Sequence, residues 1–211
     1  MSIAFLLDVD NTLLDNDAAK AAIAAGVAAC ASAADSARFW QGYDRVRDAA
    51  GYVDLPATVA RFRDGGGDER CADAINELLA RLPYADYVYP GALDVLRRLR
   101  ELGRVGLLSD GDPVFQPEKI RRSGLAAAVD VVFVQAHKER ELADVLARLP
   151  ADRHVFVDDR SSLLGRIKGR LGAAAVTVHV LQGHYAEEVA EPSPDHTIAR
   201  IADLAALADA L

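Results

Sequence analysis

Residues 5–15 read FLLDVDNTLLD. An apolar run that begins at Ile3 stops abruptly at two aspartates, Asp8 and Asp10, separated by one valine and followed by Asn11 and Thr12. A short, unbroken apolar segment bounded by a polar turn has the form of a strand buried on both faces, as in the middle of a parallel sheet. Two carboxylates this close at a strand end repel each other unless a cation, a proton or a solvated turn separates them. The stretch therefore poses a question of fold and a question of chemistry together.

The remainder of the chain answers the first. From residue 91 onward, short apolar segments alternate with amphipathic ones, the pattern of a parallel sheet covered on both faces. Strands are expected at 3–7, 104–108, 130–134, 153–157 and 174–178, and helices near 91–102, 116–123, 139–149, 161–170 and 198–210. Between 17 and 85 the apolar period is helical throughout. One face is Ile23, Val27, Cys30 and Ala34; the next is Phe39, Tyr43 and Val46. Leu55, Val59 and Phe62 make a third, and Ile75, Leu78, Leu79 and Leu82 a fourth. The glycine-rich DGGGD at 64–68 separates the last two, and YADYVYP at 84–90 leads back to the strands. The expected architecture is an α/β fold. A Rossmann-like parallel-sheet core with helices on both faces is built from 1–16 and 86–211, and an α-helical bundle cap is inserted over 17–85.

With 211 residues the chain can bury a substantial core. Its 51% hydrophobic and 27% charged residues are those of a globular protein. A net charge of -8 argues against non-specific nucleic-acid binding, which depends on neutralising phosphates, but not against a small phosphorylated ligand held by a few local groups. The opening MSIAFLLDVD has no basic leader, and its apolar run is too short for a signal peptide or a membrane span. AAIAAGVAACA at 21–31 is alanine-rich and bounded by Lys20 and Asp35, which makes it a core helix. Cys30 and Cys71 have neither metal-ligand spacing nor a disulfide framework around them, so free thiols in a reducing cytoplasm are expected. The five histidines, at 137, 154, 179, 184 and 196, form no pair at helical ligand spacing, which argues against zinc. The oligomeric state stays open.

In an open parallel sheet, ligands bind beyond the carboxyl ends of the strands. The residues there are Asp8 and Asp10, then Ser109, Asp110 and Gly111, then Lys138, then Asp158 and Asp159. Each group has a plainer structural reading: a turn or helix cap for Asp8–Thr12, an ordinary turn for Ser109–Gly111, a solvated helix start for Lys138, and a helix cap for the acidic pair. Their order and common location are harder to obtain by accident.

DVDNT at 8–12, LLSDG at 107–111, Lys138 and VDD at 157–159 resemble the four successive motifs of the haloacid dehalogenase-like hydrolases. The helical segment after the first motif resembles the cap of the subgroup that includes phosphoglycolate phosphatase and beta-phosphoglucomutase. The resemblance implies a Mg2+-dependent phosphomonoester hydrolase acting on a small phosphorylated metabolite. Asp8 is then the nucleophile and Asp10 the general acid and base. Ser109, Asp110, Gly111 and Lys138 receive the phosphoryl group. Magnesium is assigned to the Asp8 and Asp159 side chains and the Asp10 carbonyl, with Asp158 in support.

Two positions depart from the family pattern. Glu139 follows Lys138 where many relatives have proline. Leu163 stands where many have a further Asp or Asn, for which Ser162 or water could compensate. A phosphomutase or haloacid dehalogenase of the same fold, or a non-catalytic binding or regulatory module, are the alternatives. Dehalogenation needs neither a metal nor an acid for the leaving group, and Asp10 argues against it. In the cap, Arg38, Arg45, Arg47, Arg61 and Arg63 are available to an acidic leaving group. A solvated helix face is the plainer reading for most of them, and likewise for Arg166, Lys168 and Arg170.

Overall fold

The computed structural model describes residues 2–138 and 140–211. Six strands form one wholly parallel sheet: β1 (Ile3–Leu7), β2 (Arg104–Asp110), β3 (Val131–Gln135), β4 (Arg153–Asp158), β5 (Ala175–Val180) and β6 (His196–Ile198). Their spatial order is β3-β2-β1-β4-β5-β6, so β1 sits inside the sheet and the chain reverses its direction of travel across it between β1 and β4. That reversal opens a crevice at the carboxyl end of β1. Register brings Leu7 level with Leu107 on one side and Val157 on the other. Asp8 therefore emerges beside the ends of β2 and β4.

Both faces of the sheet are buried, which is why β1 reads as apolar rather than alternating. Phe5, Leu7 and Val9 enter one hydrophobic cluster, while Ala4 and Leu6 enter a second on the opposite face. The second cluster is covered by α7 (Leu142–Arg148) and α8 (Ser161–Leu171). The first takes in α5 (Ala92–Leu102), α6 (Phe115–Arg122) and the short α9 (Leu204–Ala208), together with the helices that separate β1 from β2.

Those helices are α1 (Asn16–Cys30), α2 (Ala33–Ala50), α3 (Leu55–Asp64) and α4 (Glu69–Arg81). Each begins at a residue whose side chain accepts a backbone N–H three positions on: Asp15 from Ala18, Ser32 from Asp35, Asp54 from Ala57 and Asp68 from Cys71. These caps satisfy amides that the helices cannot pair internally. The DGGGD connection falls between α3 and α4 as expected.

Several details differ from the sequence reading. Cys30 and Cys71 are not free thiols: they form a disulfide that ties the end of α1 to the start of α4. The two cysteines meet only when α1 and α4 pack together, and their 41-residue separation hides that in the sequence. Ala34 belongs to α2 and is exposed. The expected helix at 198–210 is replaced by the end of β6, a 3-10 turn at Ile201–Asp203 and α9. The α7 helix starts at Leu142; Glu139, the position where relatives carry proline, lies outside the described residues. No helix is long and apolar enough to cross a membrane among the described residues.

Candidate active site

Beyond β1 the chain turns sharply. The Val9 carbonyl accepts N–H groups from Leu13 and Leu14, both at 2.9 Å, and Asn11 adopts a left-handed conformation with φ 62°. Asparagine tolerates this region better than most residues because its short polar side chain can bond locally. Here the Asn11 Oδ1 accepts the amides of Asn16 at 3.0 Å and Asp17 at 3.1 Å, which anchors the start of α1 over the strand end.

Lys138, delivered by the segment after β3, is the hub of the site. Its Nζ donates to Asp8 Oδ1 at 2.5 Å and to Asp158 Oδ2 at 2.6 Å, and all three side chains are buried. Asp110 fixes the hub from below, its Oδ1 accepting the Lys138 N–H at 2.7 Å. The other oxygen of Asp158 accepts the Arg160 N–H at 2.9 Å, so both its oxygens are used. Asp159 differs: its backbone carbonyl bonds His179 at 2.8 Å, but its carboxylate accepts no hydrogen bond among the described residues. Asp8 Oδ2 is likewise without a donor among them.

Burial sets the electrostatics. It pushes the Asp8 carboxyl above the usual carboxylate range, with Lys138 opposing and Asp158 and Asp10 adding to the rise. Burial also raises Asp159, reinforced by Asp8 and Asp158. At Lys138 burial pulls the ammonium down, but Asp158 and Asp8 together outweigh it and the net shift is upward. Three buried carboxylates thus face one ammonium, a local excess of negative charge. Oxygens from Asp8, Asp158 and Asp159 lie within 4.8 Å of one another. A hard divalent cation fits this all-oxygen donor set and would relieve the excess.

A second polar layer escaped the sequence reading. Asp112 caps α6, accepting the Val114 N–H at 2.9 Å and the Phe115 N–H at 2.5 Å. The helix then presents Gln116 and Lys119, three apart, on one face. Gln116 Nε2 donates to Ser109 Oγ at 2.9 Å and Asp10 Oδ2 at 3.2 Å. Lys119 Nζ donates to Asp10 Oδ1 at 2.5 Å and Asn16 Oδ1 at 2.7 Å. Asp10 is thereby held on both oxygens. The available signal was a polar pair at positions where α6 should bury apolar residues.

The predicted site residues therefore converge, with some roles redistributed. Ser109 is buried and engaged by Gln116. The Gly111 N–H is donated to the Gln135 carbonyl at 2.9 Å, so this glycine supplies room more than a donor: a Cβ there would lie 2.7 Å from Gln116. Leu163 is fully buried in the apolar cluster on the other face of the sheet. Ser162 does not take the place of the absent acid, because its hydroxyl donates to Glu188 at 2.9 Å. Asp8, Asp10, Asp110 and Asp159 line a cavity of about 510 Å³ that extends to α1 and α2. Of the five arginines considered in the insert only Arg47 reaches it; Arg38, Arg45 and Arg61 line a separate hollow, and Arg63 pairs with Asp73.

Residues 4–161 match the family model of haloacid dehalogenase-like hydrolases. The chain belongs to that family. Among solved structures, a haloacid dehalogenase-like hydrolase from Burkholderia xenovorans LB400 is 39% identical, with a TM-score of 0.89 over 98% of this chain and 96% of that one. The HAD-hydrolase YfnB from Bacillus subtilis, solved bound to magnesium, shares 18% identity and a TM-score of 0.67 over 99% of both chains. L-2-haloacid dehalogenase from Xanthobacter autotrophicus shares 19% and 0.66 over 100% of both. These last two likenesses are of fold. No curated protein matches this hydrolase.

Proposed function

We propose that this hydrolase is a phosphomonoesterase working through an aspartyl-phosphate on Asp8, with a divalent cation, Mg2+, held by the Asp8 and Asp159 carboxylates and the Asp10 carbonyl. The observation that carries the reading is Asp10. It lies two residues from Asp8 on the same cavity, and Lys119 and Gln116 fix both its oxygens.

Lys138 occupies Asp8 Oδ1, which leaves Oδ2 to attack phosphorus. As the new P–O bond forms, the bond to the leaving oxygen breaks, and Asp10, entering the step protonated and released from one of the two donors that hold it here, gives that oxygen a proton. Asp10 then takes a proton from water, which attacks the phosphorus, releases phosphate and restores the Asp8 carboxylate. Lys138 offsets the negative charge that gathers when a carboxylate approaches a phosphate, and Ser109 bonds the transferring group. When bound, the cation supplies further neutralisation of that charge. Asp158, with both oxygens engaged, acts by orienting Lys138. The helical insert, as a cap, lines the part of the cavity that meets the leaving group.

Haloacid dehalogenation is the competing chemistry, since several solved relatives of the same fold are dehalogenases. Asp8 and Lys138 would serve it equally well. It has no task for a proton donor at Asp10 or for the Asp159 carboxylate, which no donor among the described residues engages. The test is phosphate release from acetyl phosphate and a panel of phosphomonoesters, with and without Mg2+, beside halide release from 2-chloropropionate. Phosphate release that needs the cation, is lost in Asp8→Asn, and in Asp159→Asn requires more cation than in Asp158→Asn, is the expected result. Halide release with no phosphate release would overturn the reading.

A further inference from the structure

The chain has one Trp, six Tyr and six Phe. Five phenylalanines, Phe5, Phe39, Phe62, Phe133 and Phe156, are 2% exposed or less and belong to the core. The single tryptophan and four of the six tyrosines line the cavity over Asp8 and Asp10, with Phe115 alone of the phenylalanines; Tyr43 and Tyr84 are themselves buried in the core, so the half-buried rings on the cavity are Trp40, Tyr52, Phe115 and Tyr185. Amphipathic aromatics placed where a ring face meets a wet hollow are what a site for a partly apolar ligand uses; a packed core has no need of their polar ends.

The wall is built in a fixed orientation. Trp40 stands edge-on to Phe39, with centroids 5.2 Å apart and planes at 89°, and Tyr43 packs against Trp40 at 5.4 Å. Phe39 is fully buried, so it holds Trp40 from the core side while Trp40 itself remains half-buried. Tyr52, beyond the left-handed Gly51 that ends α2, is also half-buried on the same cavity. Lys20 from α1 lies over Tyr43 at 4.6 Å and Trp40 at 5.8 Å. Among the described residues it has no carboxylate at ion-pair distance, whereas Lys119, Lys138 and Arg47 on the same cavity are paired with one; Arg160, which lies over Tyr185 at 5.3 Å, has none either.

Resting on the phosphomonoesterase reading, we infer that the substrate is a phosphomonoester whose alcohol carries an aromatic or heteroaromatic ring, seated against Trp40 and Tyr52 with Lys20 at its electron-rich edge. A two-carbon or three-carbon hydroxy acid would occupy a small part of a cavity of about 510 Å³ and leave the rings wet. A ring-bearing alcohol buries their faces and gains stacking, while the unpaired ammonium meets a ring carbonyl, ring nitrogen or anionic substituent.

The single tryptophan makes the wall its own reporter. In Asp8→Asn protein, fluorescence excited at 295 nm is titrated with purine and pyrimidine nucleoside 5′-monophosphates, phenyl phosphate, phosphoglycolate and glucose 6-phosphate. Turnover of the same compounds and of acetyl phosphate is measured on the wild type. Expected are saturable quenching by ring-bearing esters at concentrations about tenfold or more below those needed for the aliphatic ones, and a matching preference in kcat/KM. Tyr52→Ala and Trp40→Ala should each lower the ratio of ring-ester to acetyl phosphate kcat/KM by about tenfold, mostly through KM. Hydrolysis of acetyl phosphate without ring preference, or an unchanged ratio in both variants, overturns this inference and leaves the phosphomonoesterase reading standing. Quenching selective for rings without any phosphate release supports the aromatic site and overturns the hydrolytic one.

Discussion

Lys119 offers the sharpest test of how Asp10 works. The Lys119 ammonium is 5% exposed and bonds Asp10 Oδ1 at 2.5 Å, while the Asp10 side chain is 30% exposed. Replacing Lys119 by Met keeps the length and apolar stem but deletes the charge. Breaking a fully buried pair by removing one partner costs about 3–5 kcal/mol. Asp10 can recover water through the cavity, so the loss here is expected to be smaller, about 1–2 kcal/mol, between the buried and the exposed limits. The catalytic effect should be separable from that loss. A positioned acid contributes about 10²–10⁴ in rate, and without Lys119 only Gln116 at 3.2 Å still directs Asp10. The expected drop in kcat is about 10-fold to 100-fold for alkyl phosphates, whose alkoxide needs the proton. It should be several-fold at most for acetyl phosphate, whose leaving group departs as a stable anion. The assay is steady-state phosphate release across esters of graded leaving-group basicity, with Lys119→Arg as the variant that restores the charge. A steeper dependence on leaving-group basicity in Lys119→Met, recovered in Lys119→Arg, is predicted. An equal loss on every ester would refute the reasoning, because Lys119 would then support the fold of the site and not the proton transfer.

Two further expectations concern stability. Asp8 and Asp159 hold their protons to higher pH in the folded chain than an ordinary aspartate, which titrates near 3.8. Between that value and their raised folded values the native state binds more protons than the unfolded one, so without divalent cation stability falls as pH rises. Mg2+ should therefore raise the melting temperature more at pH 8 than at pH 5, and the difference should shrink in Asp159→Asn; a larger gain at pH 5 would contradict the carboxylate assignment. The Cys30–Cys71 bridge closes a 41-residue separation, for which chain entropy sets a ceiling of about 4 kcal/mol. Denatured, unreduced protein should show no titratable thiol, and the double serine variant should melt lower; two free thiols in the unreduced protein would disprove the link.

The local pattern of the sequence determined a great deal. An apolar run that ends in carboxylates located β1 and Asp8, and the alternation of apolar and amphipathic segments gave the parallel sheet with four of the strands that follow. The caps at Asp15, Ser32, Asp54 and Asp68 are equally local, since a cap depends on residues three apart, but they emerged only from the structure. β6 escaped because three residues, HTI, carry too little pattern to register. Other facts depended on distances that no local pattern encodes. Asp158 and Asp159 are adjacent and chemically identical, and only the packing of the segment after β3 decides that Lys138 bonds the first and leaves the second open. Lys119 reaches Asp10 across 109 positions of chain, and Cys30 finds Cys71 because α1 lies against α4. The arginines of the insert were visible as charges, yet it is Lys20 that lies over Trp40 and Tyr43. Helical periodicity says which residues share a face; which face turns toward the strand ends is settled by burial of the opposite face against the rest of the core.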